Sequence, residues 1–185
     1  MKTIINDISS RQDFFNGRGL FELGCAWLSF GAIMALEHIL NKEMKVLELG
    51  GGGSTVFFAN RCKFVKTIET SAEWMEKLEE RTRDYNNVEL HYRNEQEAVE
   101  EIKSEEDESY DVILIDTGAV PNKPRPNRLL LAQTAVPKLK KGGYLILDNY
   151  LKFGNQNFPY NEGWEVYSFD DFGYSGRGTR ILRKL

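Results

Sequence analysis

The chain has 185 residues, a formal net charge of −4, 41% hydrophobic and 28% charged residues, which is the composition of one globular domain. An aromatic content of 12% excludes a disordered chain, and 16 Gly with 5 Pro exclude a collagen-like or low-complexity one. Two cysteines, Cys25 and Cys62, do not make a disulfide scaffold and point to a reducing compartment, while the acidic balance argues against nucleic acid as a partner.

The start, MKTIINDISSRQDFFNG, is polar and lacks an apolar signal core. The most apolar stretch, Leu23–Leu36, runs 14 residues without a charge. A bilayer span needs about 20. The stretch therefore reads as part of a buried helix over Leu20–Leu40, with Trp27 in the core, and the protein as cytoplasmic with no membrane partner. Lys45–Leu49 reads as a buried strand, Gly50–Gly53 as a turn, and Ser54 as the cap of a following helix. Phe64–Glu69 is a second strand and Ser71–Tyr85 an amphipathic helix capped by Ser71. Val88–Tyr92 is a third strand, Asn94–Ser104 an acidic helix and Asp111–Asp116 a fourth strand. A helix is expected from Pro126 to Lys140, then a fifth strand over Tyr144–Asp148. The alternation predicts an open α/β fold: parallel strands, right-handed crossovers, helices on both faces. Trp164–Phe169 and Thr179–Arg183 have no room for a helix between them and predict an antiparallel pair at one edge.

Ligands of such sheets sit beyond the carboxyl ends of the strands, beside strand 1. That strand ends Glu48-Leu49-Gly50-Gly51-Gly52-Gly53-Ser54-Thr55. The third glycine of a dinucleotide fingerprint is replaced by Thr55, and no Lys completes a phosphate loop. Glu48 would instead aim a carboxylate at the loop, which suits a cationic amino group. Glu69, 19 residues after Gly50, stands where an acid can accept both ribose hydroxyls. Together they describe a nucleoside carrying an amino-acid-like cation.

On Glu48-x-Gly50-x-Gly52-x-Ser54, Thr67-Ile68-Glu69, Asp111–Asp116 and Gly142-Gly143-Tyr144-Leu145, the sequence resembles the class I S-adenosylmethionine-dependent methyltransferases. The resemblance covers about residues 20–185. It implies a Rossmann-like sheet of seven strands in the order 3-2-1-4-5-7-6 with strand 7 reversed. It also implies that Gly50, Gly51, Gly52 and Ser54 hold the methionine part of the cofactor. Glu69 and Thr70 would hold the ribose, and Asn94 would lie near the adenine, where the family usually has an acid or amide. A single domain is expected over 1–185. It divides into a helical extension at 1–42, a cofactor core at 45–149, acceptor-side loops at 150–178 and the strand pair at 164–184.

Strands 4 and 5 are neighbours in this order, so Asp116, Asp148 and Asn149 converge near the expected sulfonium methyl. Asp116 and Asp148 are the candidate catalytic residues, Asp116 also bordering the cofactor. Three oxygen donors suit Mg²⁺ or another hard divalent cation. The pattern is similar to the Asp…Asp-Asn metal site of cation-dependent O-methyltransferases. The alternative is that the carboxylates orient or deprotonate the acceptor without metal. Asn149 and Tyr150, with Arg125 and Arg128 in a segment bearing three cations in seven residues (122–128), are candidate acceptor contacts. Nine aromatics crowd residues 150–174. The expected acceptor is a small molecule, anionic or aromatic, methylated on oxygen, with a homodimer as one way to complete the site. Rival readings are an aminopropyl transferase-like enzyme, an NAD-dependent oxidoreductase, or a non-catalytic binding module on the same fold.

Overall fold

A computed structural model describes residues 23–118, 126–151, 157–160, 162–170 and 178–185. Seven strands form one sheet: β1 (Lys45–Leu49), β2 (Phe64–Glu69), β3 (Val88–Tyr92), β4 (Tyr110–Ile115), β5 (Leu139–Asp148), β6 (Trp164–Phe169) and β7 (Thr179–Lys184). Their order is β3-β2-β1-β4-β5-β7-β6, as the family resemblance implies. All pairs from β3 to β5 are parallel, whereas β7 runs antiparallel to both β5 and β6.

The helices are α1 (Phe30–Ile39), α2 (Gly53–Ala59), α3 (Ala72–Thr82), α4 (Glu95–Ser104) and α5 (Arg128–Ala135). Alternate strand residues feed opposite cores. Leu47, Leu49, Ile113, Ile115, Leu145 and Leu147 pack with Ala98, Ile102, Leu131 and Ala135 of α4 and α5. Val46, Val112, Leu114 and Ile146 pack with Ile33, Leu36, Phe57 and Phe58 of α1 and α2. Both faces are covered, which is why β1 and β4 read as nearly unbroken apolar runs.

Four local expectations are corrected. The helix expected over 126–140 stops at Ala135: Val136–Lys138 form a 3₁₀ turn around Pro137, which has no N–H to continue the ladder. β5 consequently starts at Leu139 and runs through both glycines; a Cβ on Gly143 would lie 2.9 Å from Asp111 O. Ser54 lies inside α2, and the cap is made by Thr55, whose Oγ1 accepts from Gly52 N at 3.1 Å. Within the expected Leu20–Leu40 helix, the described residues are helical only from Phe30, and Trp27 is 54% exposed. Ser71 caps α3 as expected, accepting from Trp74 N. Among the described residues no helix is long and apolar enough to cross a membrane.

Candidate functional site

The parallel strands bring their carboxyl ends to one edge, and every backbone crossing there is tied. Gly50 N donates to Ile68 O (2.9 Å), Asp116 N to Leu49 O (2.8 Å) and Arg93 N to Glu69 O (3.0 Å). This closeness explains the glycines. Gly50 has φ +92°, and a Cβ there would lie 2.6 Å from the Asp116 carbonyl carbon. A Cβ on Gly51 would meet Leu78 Cδ1 at 2.5 Å, whereas one on Gly52 would meet nothing within 4 Å. The loop is therefore pinned at Gly50 and Gly51 and open at Gly52.

Glu48 does not line this opening. It is fully buried under the loop, where Oε2 accepts from Thr55 Oγ1 (2.6 Å) and Thr67 Oγ1 (2.7 Å). Ser54 also hydrogen-bonds it, so this hydroxyl too is directed inward. Burial raises the Glu48 carboxyl to about 7. The acid read as facing a ligand is a tie between β1, β2 and α2.

Glu69 ends β2, 4% exposed, with Oε2 accepting from Gly51 N (2.8 Å) and Oε1 from Thr70 N and Ser71 N (2.7 Å each). Burial pushes its carboxyl upward against those three N–H donors. Asn94 is used locally: its Oδ1 accepts from Glu97 N at 3.0 Å while Glu97 Oε2 accepts from Asn94 N, a reciprocal cap of α4. The signal Asn-x-x-Glu was in the sequence. Two hydroxyls along the edge, Thr70 Oγ1 and Thr117 Oγ1, are buried and have no hydrogen-bond partner among the described residues. Buried polar atoms are rarely left so. An open Gly52, a buried acid on the loop and two unspent hydroxyls fit the polar groups of S-adenosylmethionine; Thr117 was missed because nothing in its spacing marks it.

The second cluster sits at the β4 and β5 ends, as predicted. Asp148 is 2% exposed; its Oδ1 accepts from Thr179 Oγ1 (2.8 Å) and its Oδ2 from Asn149 Nδ2. Asn149 itself has φ +50°, a left-handed turn that Asn tolerates. A side-chain hydrogen bond joins Asp116 to Asp148. Burial, then the neighbouring Asp116, raises Asp148 to about 8; burial raises Asp116 too, opposed by Arg128. Arg128 is the only expected acceptor cation that can be placed, and it points inward: its side chain is 3% exposed, against 24% for that of Asp116. Arg125, with Lys123, lies outside the described residues.

A divalent cation does not fit this arrangement. A guanidinium already holds Asp116, and both Asp148 oxygens accept hydrogen bonds from neutral donors. Tyr150 is buried, its hydroxyl donating to Asp170 Oδ1 at 2.6 Å. Its ring forms one side of a clamp on Arg180, whose guanidinium carbon lies 3.8 Å from the Tyr150 ring and 4.4 Å from the Tyr160 ring. Among the described residues, no carboxylate pairs with Arg180 and its buried Nη1 has no hydrogen-bond partner. The sequence reading passed over Arg180 because it looks like an outward strand residue. Of the 150–174 aromatics, Phe158 packs edge-on against Trp164, while Phe153, Phe172 and Tyr174 lie outside the described residues. A shallow cavity of about 340 Å³ lies elsewhere, between α1 and β6–β7, away from the strand ends.

Comparison with known proteins agrees with this fold. The family profile described as a methyltransferase domain matches residues 47–150. No functionally curated protein matches the sequence. A Staphylococcus aureus structure assigned as a caffeoyl-CoA O-methyltransferase is 18% identical with a TM-score of 0.64, covering 100% of this chain and 93% of its own. A Streptococcus mutans structure assigned as a methyltransferase, in complex with S-adenosylhomocysteine, is 18% identical with a TM-score of 0.62 and covers 82% and 97%. An rRNA methylase from Streptococcus thermophilus is 18% identical at a TM-score of 0.63, covering 86% and 99%. At such identities the likeness is one of fold.

Proposed function

Because the chain belongs to the methyltransferase-domain family, we propose that it transfers the methyl group of S-adenosylmethionine to an oxygen of a small acceptor, anionic or aromatic in character. The observation that carries this reading is the juxtaposition, along one sheet edge, of the open Gly52 turn beside Glu69 and the Asp116–Asp148 pair.

When bound, S-adenosylmethionine supplies a methyl carbon made electrophilic by its sulfonium sulfur. The chain then has two tasks. The first is binding: Gly50–Gly52 backbone around the methionine part, Glu69 with the Thr70 hydroxyl on the ribose, and residues 45–149 as the cofactor half. The second is presenting the acceptor from the 150–178 side. Asp116 is the more exposed acid of the pair and accepts the acceptor hydroxyl's proton. Removal of that proton would make the acceptor oxygen nucleophilic toward the methyl carbon that bound S-adenosylmethionine would supply, with the sulfonium sulfur as the leaving group. Asp148, held near-neutral by burial, orients Asp116 without competing for the same charge. Alignment supplies most of the advantage in such a displacement. An anionic acceptor is favoured by Arg180, which has a positive charge and no acid partner among the described residues.

The test is transfer of isotope-labelled methyl from S-adenosylmethionine onto a panel of hydroxylated aromatic carboxylates, with amines and rRNA as comparison acceptors. Labelling of a hydroxyl, lost in Asp116→Asn, is expected. Labelling of amines or rRNA alone would contradict the oxygen and small-molecule assignments.

A further inference from the structure

The sequence pattern Asp116…Asp148-Asn149 suggested a divalent cation, and the structure puts something else there. Arg128 opens α5, and its guanidinium turns back under the sheet edge. Nη2 donates to Asp116 Oδ1 (2.8 Å), Nε to Thr117 O (2.8 Å) and Nη1 to Asp148 O (2.9 Å). The three bonds fix one carboxylate and the main chain of both strand ends. The planar fork of Arg allows this; a lysine ammonium, a point donor, could not span all three. A dication on both carboxylates would set its charge against the buried guanidinium on Asp116 and compete with Thr179 and Asn149 for Asp148.

We propose that Arg128 is the resident cation of this site, standing where a divalent metal would ligate Asp116 and Asp148, and that it positions Asp116 for metal-independent transfer. Arg128 does not touch the acceptor; it acts through Asp116 and through the turn containing Asn149. The inference rests on the methyltransferase reading for its purpose but not for its geometry.

Mn²⁺ titration followed by electron paramagnetic resonance tests it, using the full chain as wild type, Asp116→Asn, Arg128→Gln, Arg128→Lys and the double variant Arg128→Gln with Asp116→Asn. Wild type and Arg128→Lys, which keep the charge, should show no saturable uptake. Arg128→Gln should show saturable uptake of a single Mn²⁺, at least about tenfold above any background uptake by wild type, and the double variant should lose it. A purely structural arginine would produce no such charge-dependent gain. Wild-type uptake that Asp116→Asn abolishes would overturn the proposal, and so would a folded Arg128→Gln with no gain. If Arg128→Gln does not fold, wild type against Asp116→Asn still decides. Calorimetry with S-adenosylhomocysteine on the same samples separates the two readings. Absent binding would remove the methyltransferase site, whereas Asp116-dependent Mn²⁺ uptake by wild type would remove the resident cation.

Discussion

Glu48 makes a sharp test of how the cofactor loop is built. It is fully buried, and burial raises its carboxyl from 4.5 to about 7. Raised folded-state affinity for a proton means that stability is fully present below pH 4.5 and is lost as pH climbs through about 7. Linkage over this interval predicts that Glu48 costs the fold about 2–3 kcal/mol between pH 5 and pH 8. Glu48→Gln has no proton to lose. Its carbonyl can still accept from Thr55 Oγ1 and Thr67 Oγ1, and any cost of placing an amide where Oε1 had no partner is independent of pH. Urea denaturation of both proteins at pH 5, 6, 7 and 8 should therefore show the variant gaining on wild type by about 2–3 kcal/mol across the series. A stability difference that stays constant from pH 5 to 8 would refute the reasoning and put an ordinary ionised carboxylate beneath the loop.

Other sites give independent outcomes. Glu69→Ala should weaken S-adenosylhomocysteine binding by roughly 10–100-fold in calorimetry, as expected when charge-assisted hydrogen bonds are lost. Gly50→Ala meets both a positive φ and the Asp116 backbone at 2.6 Å; it should lower stability by about 2 kcal/mol or more, measured by urea denaturation. Thr179→Val removes the donor to Asp148 Oδ1 and the acceptor of Ser29 N, and should cost about 1–3 kcal/mol in the same assay.

The parallel strands and the antiparallel edge pair could be read from the chain because their determinants are local, whereas the strand order came from the family resemblance. Buried parallel strands such as Ile113–Ile115 carry apolar residues on both faces, and the short interval between Phe169 and Thr179 leaves only an antiparallel return. The meeting of Asp116 with Asp148 followed from that order. What could not be read was direction. Lys123, Arg125 and Arg128 are equivalent in a sequence, and only packing against the β4–β5 ends decides that Arg128 turns inward. Glu48 misled for a related reason. Its place before the first glycine marks the loop correctly, but strand alternation sends its side chain toward Thr55 of α2 rather than into the opening. Asn94 was placed near the adenine by the family resemblance, although Glu97, three residues on, marks it as a cap.

Isothermal titration of S-adenosylhomocysteine into the wild-type chain tests the central claim most directly. One saturable site in the micromolar range, weakened by Glu69→Ala, is the predicted result. No heat of binding up to millimolar ligand would contradict it.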